Sequence, residues 1–231
     1  MGLAGIVPVE NQSLQQRVYD ELKQLIMVGQ FEPGQTLTIR ALAGSLGTSV
    51  MPVREALQRL AANQAILIKA NRSIRIPQMT KANFVELSEI RGRLEGLAAQ
   101  MAAGNLSEEI MDQLEDDLAR AAQAWKNGDA ENLLLANLQF KMRIAHNCGA
   151  NFLGHLVESC WLKLGPTYRR SLEEWSAAGA QSSGHTQMHK KILDAIKVGD
   201  SEGAQEASRN AIEVGQNLAF KFVDFADPDE T

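Results

Sequence analysis

Leu14, Val18, Leu22, Leu25 and Ile26 recur at the three- and four-residue spacing of one helix face. Ser13 and Gln16 in "SLQQ" form a capping-box pair at the start of that helix, and Gly29 with "EPGQ" ends it. A short helix capped by Thr38 then carries Leu42 and Leu46 and breaks at Gly47. Ser49 caps the next, "SVMPVREALQRLAAN", where Pro52 is tolerated because a first-turn N–H has no intrahelical partner. Two short alternating runs follow, Ile66 to Lys69 and Ser73 to Ile76, around a polar tip at Asn71 and Arg72. Helix, helix, tight turn, helix and small hairpin is the order of a winged helix-turn-helix.

Beyond that hairpin the periodicity is helical throughout. From Lys81 to Gly104, Phe84, Leu87, Leu94, Ala98 and Met101 mark one face, and Arg91 falls on it. Further helical segments are expected at about Ser107 to Lys126, Asp129 to Asn147, Asn151 to Trp175, Ser182 to Val198 and Ser201 to Phe225, with no credible long strand. The terminal "DFADPDET" reads as a frayed acidic tail. The expected fold is mainly α: a winged helix-turn-helix over residues 10–78, then an all-α helical bundle over residues 79–231.

Length supports two domains, since 231 residues can bury a small core and a larger one. Charge divides the same way. The total is −5, yet up to Met79 eight basic residues face five acidic ones, a net of +3 that leaves −8 for the remainder. A basic module joined to an acidic body fits a phosphate-binding domain carried by a partner that repels phosphates, although two ordinary domains can also differ this much by chance. No apolar run reaches the length of a membrane span, and "MGLAGIVPVE" lacks the pattern of a signal peptide, so a cytoplasmic location is expected. Cys148 and Cys160 form no CxxC or dense framework and read as reduced thiols. No phosphate loop, nucleophile elbow or HExxH is present, so no catalytic activity is expected.

The helix after a tight turn enters the major groove with its N-terminus foremost, so its opening residues meet base edges while its dipole favours phosphate. Arg54 lies one turn into that helix and suits base-edge or adjacent phosphate contact. Arg40 opens the preceding helix and suits phosphate or groove contact, and Arg72 at the hairpin tip suits the minor groove or backbone. Thr48 and Ser49 can donate to phosphate. A lone arginine is more often a solvated charge, but three on the presenting edges of one motif are not.

"GQFEPGQTLTIRALAGSLGTSVMPVREALQRLAANQAI" resembles the DNA-binding domain of the GntR family of bacterial transcription regulators, most specifically in "MPVREALQRL". The resemblance implies a homodimeric regulator, a repressor by preference, that binds double-stranded operator DNA, with Arg40 and Arg54 at positions where the family contacts DNA. Val50 stands where the family commonly has an arginine, and "NRS" replaces its glycine-rich wing tip. "EIRGRLEGLAAQMAA" and "HKKILDAIKVGDSEGAQ" resemble the helical effector domain of the FadR subfamily, the FCD type.

Many such domains hold a divalent metal with an aspartate, a histidine four residues later, and two further histidines. Carried onto this chain, those positions are Asn137, Lys141, His189 and Ala211. One ligand of four remains, and an ammonium at Lys141 would repel a cation, so no metal cofactor is expected. His185 and His189 lie four apart and suit zinc or nickel by spacing, but they supply two ligands only. The substitution points instead to a small organic acid effector bound by Lys141, with Arg91 and His189 as further donors and Asn137 orienting it. The bland alternative is that Lys141 pairs with an acidic neighbour such as Glu95 or reaches solvent. Two other functions compete with a ligand-responsive regulator: a histidine-dependent metalloprotein, and a constitutive DNA-binding protein whose second domain only dimerises.

Overall fold

The computed structural model describes residues 14–69, 73–178 and 184–227, with the side chains of residues 184–186 left aside. The first module runs α1 (Leu14–Met27), β1 (Thr36–Thr38), α2 (Ile39–Ser45), α3 (Val50–Ala62), β2 (Leu67–Ile68) and β3 (Ser73–Arg75). Val18, Leu22 and Ile26 of α1 are buried together with Val53, Leu57 and Leu60 of α3, the two stripes closing a small core. Thr38 caps α2 by accepting a hydrogen bond from the Ala41 N–H at 3.2 Å. The sheet has order β1-β3-β2 with both pairs antiparallel, Leu37 opposite Ile74 and Ile68 opposite Ile74. The sequence pattern supplied β2 and β3 as a hairpin; β1 is an additional strand on its far edge.

The second module consists, among the described residues, of α4 (Lys81–Ala102), α5 (Glu108–Asn127), α6 (Ala130–Asn147), α7 (Leu153–Ala177), α8 (Gly184–Lys197) and α9 (Ser201–Phe222). Side-chain caps start four of these: Thr80 for α4, Ser107 for α5, Asp129 for α6 and Asp200 for α9. Helix α4 is the central element, packing on α6, α7, α8 and α9. Its buried face differs from the expected one. Ser88, Arg91, Gly92, Glu95, Gly96, Ala98, Ala99 and Ala102 face inward with Phe84, whereas Leu87, Leu94 and Met101 are only half-buried. The reason is close packing: a β-carbon at Gly96 would already lie 3.3 Å from Gln205 of α9, so small residues line the seam and larger apolar ones are displaced outward.

The C-terminal segment is docked through Ala226, which corrects the frayed tail for its first residues; residues 228–231 lie outside the described residues. Ala226 N–H donates to the Met79 carbonyl at 3.1 Å, and the Phe225 ring lies 5.2 Å from that of Phe84. The two modules meet where α1 ends against the middle of α7. At Gly29, with φ +67, a β-carbon would stand 2.3 Å from that of Arg169; at Gly165 it would stand 2.4 Å from the Met27 carbonyl oxygen. Lys23 of α1 also pairs with Glu158 of α7 at 2.8 Å. Pro166 follows Gly165 inside α7, where it removes one backbone hydrogen bond from the helix at the contact point.

Candidate functional site

Two regions bear on function, one in each module. In the first, α2 and α3 form the helix-turn-helix, and α3 starts just after the bend at Gly47. Arg40 in the first turn of α2, and Ser49 and Arg54 at the start of α3, are all exposed. Ser49 occupies the N-cap position, but its hydroxyl makes no capping bond, contrary to the capping role expected of it, and is left facing outward. Thr48 is half-buried, with its Oγ1 in no hydrogen bond. Arg72 lies outside the described residues.

One residue on this surface was missed by sequence reasoning. Met51, 58% exposed one turn before Arg54, offers an apolar tip of the kind that meets thymine methyl groups. Its signal was present as an apolar side chain out of phase with Val53, Leu57 and Leu60. Arg59 is occupied elsewhere: it donates to Gln16 at 2.9 Å and lies over the Tyr19 ring at 3.7 Å, tying α3 to α1.

In the second module an ionic cluster sits inside the helices. Glu95 of α4 is its centre, with its Oε2 2.7 Å from Lys141 Nζ of α6 and its Oε1 3.2 Å from Arg91 Nε, one turn earlier on α4. Trp161 of α7 donates its indole N–H to Glu95 Oε1 at 2.9 Å. The Arg91 guanidinium lies against two rings, 4.6 Å from the centroid of Trp161 and 4.8 Å from that of Tyr168. All five side chains are buried. The sequence had placed Arg91 and Lys141 inward as candidates and Glu95 only as a possible partner for Lys141. The ion pair with Glu95 is what the structure contains, and Trp161 and Tyr168 complete the site. The signal for Glu95 was its position four residues after Arg91 on one helix.

Electrostatics in the cluster are unequal. Burial penalises the Glu95 carboxylate, but Lys141 and then Arg91 outweigh it and hold its pKa below the ordinary value. Burial likewise opposes the Arg91 charge, but Tyr168 and Glu95 more than offset it and raise its pKa. Lys141 moves the other way: burial, reinforced by Arg91, lowers its pKa despite the attraction of Glu95. One carboxylate does not fully compensate two cations, and the deficit falls on the ammonium because a guanidinium does not deprotonate. Burial and Glu95 raise the Cys160 thiol, so it does not serve as a second anion. Two polar groups add to the imbalance. Arg91 Nη1 and the Tyr168 hydroxyl are buried without a hydrogen-bond partner in suitable geometry.

The remaining candidates lie on α6 and α8. Asn137 is buried one turn before Lys141 on α6, and His189 is buried on α8 with its ring edge-on to Phe140 at 5.3 Å. The side chain of His185 lies outside the described residues. The positions that hold a metal in FCD relatives do not fit one here: Lys141 presents an ammonium, Ala211 on α9 has no donor, and Asn137 offers a neutral amide. Among the described residues no three histidine, cysteine or acidic side chains are grouped as ligands. Arg169 and Arg170 of α7 are engaged in other ion pairs. Arg169 pairs with Glu131 and Glu173, and Arg170 with Glu174.

Comparison with known proteins bears on both regions. Residues 14–76 match the family described as bacterial regulatory proteins, gntR family, and residues 86–214 match the FCD domain. The HTH-type transcriptional regulator McbR of Escherichia coli K12 is 29% identical over 220 residues, covering 95% of this chain and 98% of that protein. A probable D-xylose utilization operon transcriptional repressor of Paenarthrobacter nicotinovorans is 27% identical over 83% of this chain and 82% of its own length. The solved structure of E. coli McbR/YncC superposes with a TM-score of 0.84 at 28% identity, over 91% of this chain and 99% of that one. A GntR regulator from Rhodococcus sp. RHA1 shares the fold, with a TM-score of 0.74 at 20% identity over 92% of this chain and 100% of its own.

Proposed function

The chain belongs to the gntR family of bacterial regulatory proteins, with an FCD domain behind its winged helix-turn-helix, and is a transcription regulator; on that premise we propose that it is a repressor whose grip on operator DNA is weakened by a small carboxylate metabolite. The observation that carries this reading is the buried cluster of Arg91, Glu95 and Lys141, in which two cationic side chains face one carboxylate. Such an excess of positive charge inside a helical domain is costly unless an anion neutralises it. Arg91 and Lys141 bind the ligand, Asn137 orients it and His189 adds a donor.

Operator contact is assigned to Arg40, Thr48, Ser49 and Arg54 around the helix-turn-helix, with Arg72 at the wing, in a cytoplasmic protein. A homodimer presents two such surfaces to a short palindrome. The face that suits a second copy is the outer side of α4 and α7, where Ile90 and Leu97 of α4, Leu156 of α7 and Phe152 just before α7 are exposed and the two helices pack against each other. A ligand entering a buried cluster favours whichever conformation opens to receive it, and thereby shifts the population between dimer geometries that do and do not match the half-site spacing.

The test is fluorescence anisotropy on the protein's own promoter region, titrated with a panel of organic acids, for wild type and Lys141→Ala. Release by one acid in wild type and not in the variant is the expected result. A releasing acid that acts equally on both removes Lys141 from the site. The ion pairs that Glu95 already makes favour one competing reading, a constitutive DNA-binding protein whose second domain only dimerises; under it no acid in the panel releases DNA.

A further inference from the structure

We propose that Glu95 sets the charge of the ligand: by cancelling one of two buried cations it tunes the cluster to a monocarboxylate and excludes dicarboxylates. The inference rests on the effector reading above and adds the chemical class of the ligand. Arg91 and, in its ammonium form, Lys141 supply two positive charges, Glu95 removes one, and Cys160, whose thiol is pushed toward its neutral form, removes none. Each of these groups is buried, so the balance is not met by solvent. Helix α7 faces the cluster with the indole of Trp161 and the phenol of Tyr168, and Phe140 of α6 meets His189 of α8; none of the four brings a carboxylate.

A single negative charge brings the Arg91, Lys141 and Glu95 set to neutrality. A second would have to be buried without a cation, beside the Glu95 carboxylate, where desolvation and like-charge repulsion both oppose it. Donors for the first charge are available in the Arg91 guanidinium and the Tyr168 hydroxyl, buried groups that interact with each other but hold no hydrogen bond of good geometry at Arg91 Nη1 or the phenol oxygen. The Trp161 indole N–H donates to Glu95 Oε1 at 2.9 Å, so the carboxylate is held in place beside the two cations and acts as a fixed filter.

Charge counting then assigns a preference to each of four proteins. Wild type has an excess of one and binds propionate in preference to malonate. Glu95→Gln has an excess of two and prefers malonate, so the ratio of the two dissociation constants shifts at least about tenfold. Lys141→Met is balanced and binds neither. Glu95→Gln/Lys141→Met again has an excess of one and returns to propionate. Isothermal titration with sodium propionate and sodium malonate at constant ionic strength and neutral pH reads all four.

The same ratio in wild type and Glu95→Gln overturns the inference. Should Glu95→Gln not fold with two uncompensated cations, Lys141→Met and the double variant decide: propionate binding by Lys141→Met as tight as in wild type overturns it. Absence of binding in every protein overturns it too. The functional reading stands or falls separately. An operator response that depends on Lys141, without any charge preference set by Glu95, sinks the inference alone; the charge preference without an operator response to any acid sinks the functional reading alone.

Discussion

Gly165→Ala tests the junction between the two modules. The added β-carbon would lie 2.4 Å from the Met27 carbonyl oxygen, 2.6 Å from that of Ile26 and 2.7 Å from the Met27 carbonyl carbon. All three are backbone atoms, so no flexible side-chain end can give way. Restoring ordinary contact at about 3.4 Å requires the end of α1 to back away from α7 by about 1 Å, against the Lys23–Glu158 bridge that holds the two helices together. Overpacking of this kind costs about 1–3 kcal/mol, or about 2–12 °C in melting temperature for a chain of this size.

Gly44→Ala in α2 supplies the control, because a β-carbon there meets nothing within 4 Å. It removes a helical glycine and is expected to be neutral or to stabilise by up to about 1 kcal/mol. Thermal unfolding of both variants, with operator affinity of Gly165→Ala in the presence and absence of a releasing acid, checks the reasoning. The variant should melt lower and lose much of its response to the acid while still binding operator, since α7 carries Trp161 and Tyr168 on the ionic cluster and Gly165 on α1 within one stretch of helix. An unchanged melting temperature, or one as low in Gly44→Ala, refutes the close approach; a full response to acid in a destabilised protein refutes the coupling.

Arg54→Ala is expected to weaken operator binding and to lower the slope of log affinity against log salt by about one. Arg59→Ala, by contrast, should leave that slope alone and act on stability through its Tyr19 and Gln16 contacts. Leu97→Asp on the outer face of α4 should shift a dimer toward monomer in sedimentation velocity, and a dimer that survives it lies on another face. Glu95 has a lowered pKa in the folded protein, so the stability it contributes is present above the ordinary glutamate value and lost as pH falls through the folded value. Acid unfolding of Glu95→Gln should therefore be less steep between those two pH values than that of wild type, and an identical profile would show that Glu95 gains nothing from its cations.

The helices of the second module were legible because their starts are written in capping residues, such as Asp129 and Asp200, whose side chains accept from the third residue of each helix. Orientation was less legible on α4. Its apolar residues Leu87, Leu94 and Met101 suggested the buried face, but tertiary packing assigned that face to Gly92, Gly96 and Ala99, small enough for α9 to approach. Hydrophobic periodicity finds a stripe; it does not say whether the stripe meets the core or another molecule. β1 escaped notice for a different reason: "TLT" is three residues long and ends in the cap of α2, so its strand character depends on pairing with β3 far along the chain. At the ionic site, Arg91 and Lys141 stood out because charge on an apolar stripe demands a partner. The i, i+4 spacing of Arg91 and Glu95 offered one pair, but that Lys141 of α6 and Trp161 of α7 join the same carboxylate depends on how α4, α6 and α7 pack.

The chain has three tryptophans, and their placement makes the protein its own optical instrument. Trp125 and Trp175 are stacked, with centroids 3.8 Å apart, and form one chromophore pair away from the ionic cluster. Trp161 alone donates its N–H to the carboxylate on which Arg91 and Lys141 converge. Emission colour and quenching of that single indole thus report the state of the charge cluster directly, and replacing the other two with phenylalanine would leave a tryptophan spectrum that belongs to this cluster alone.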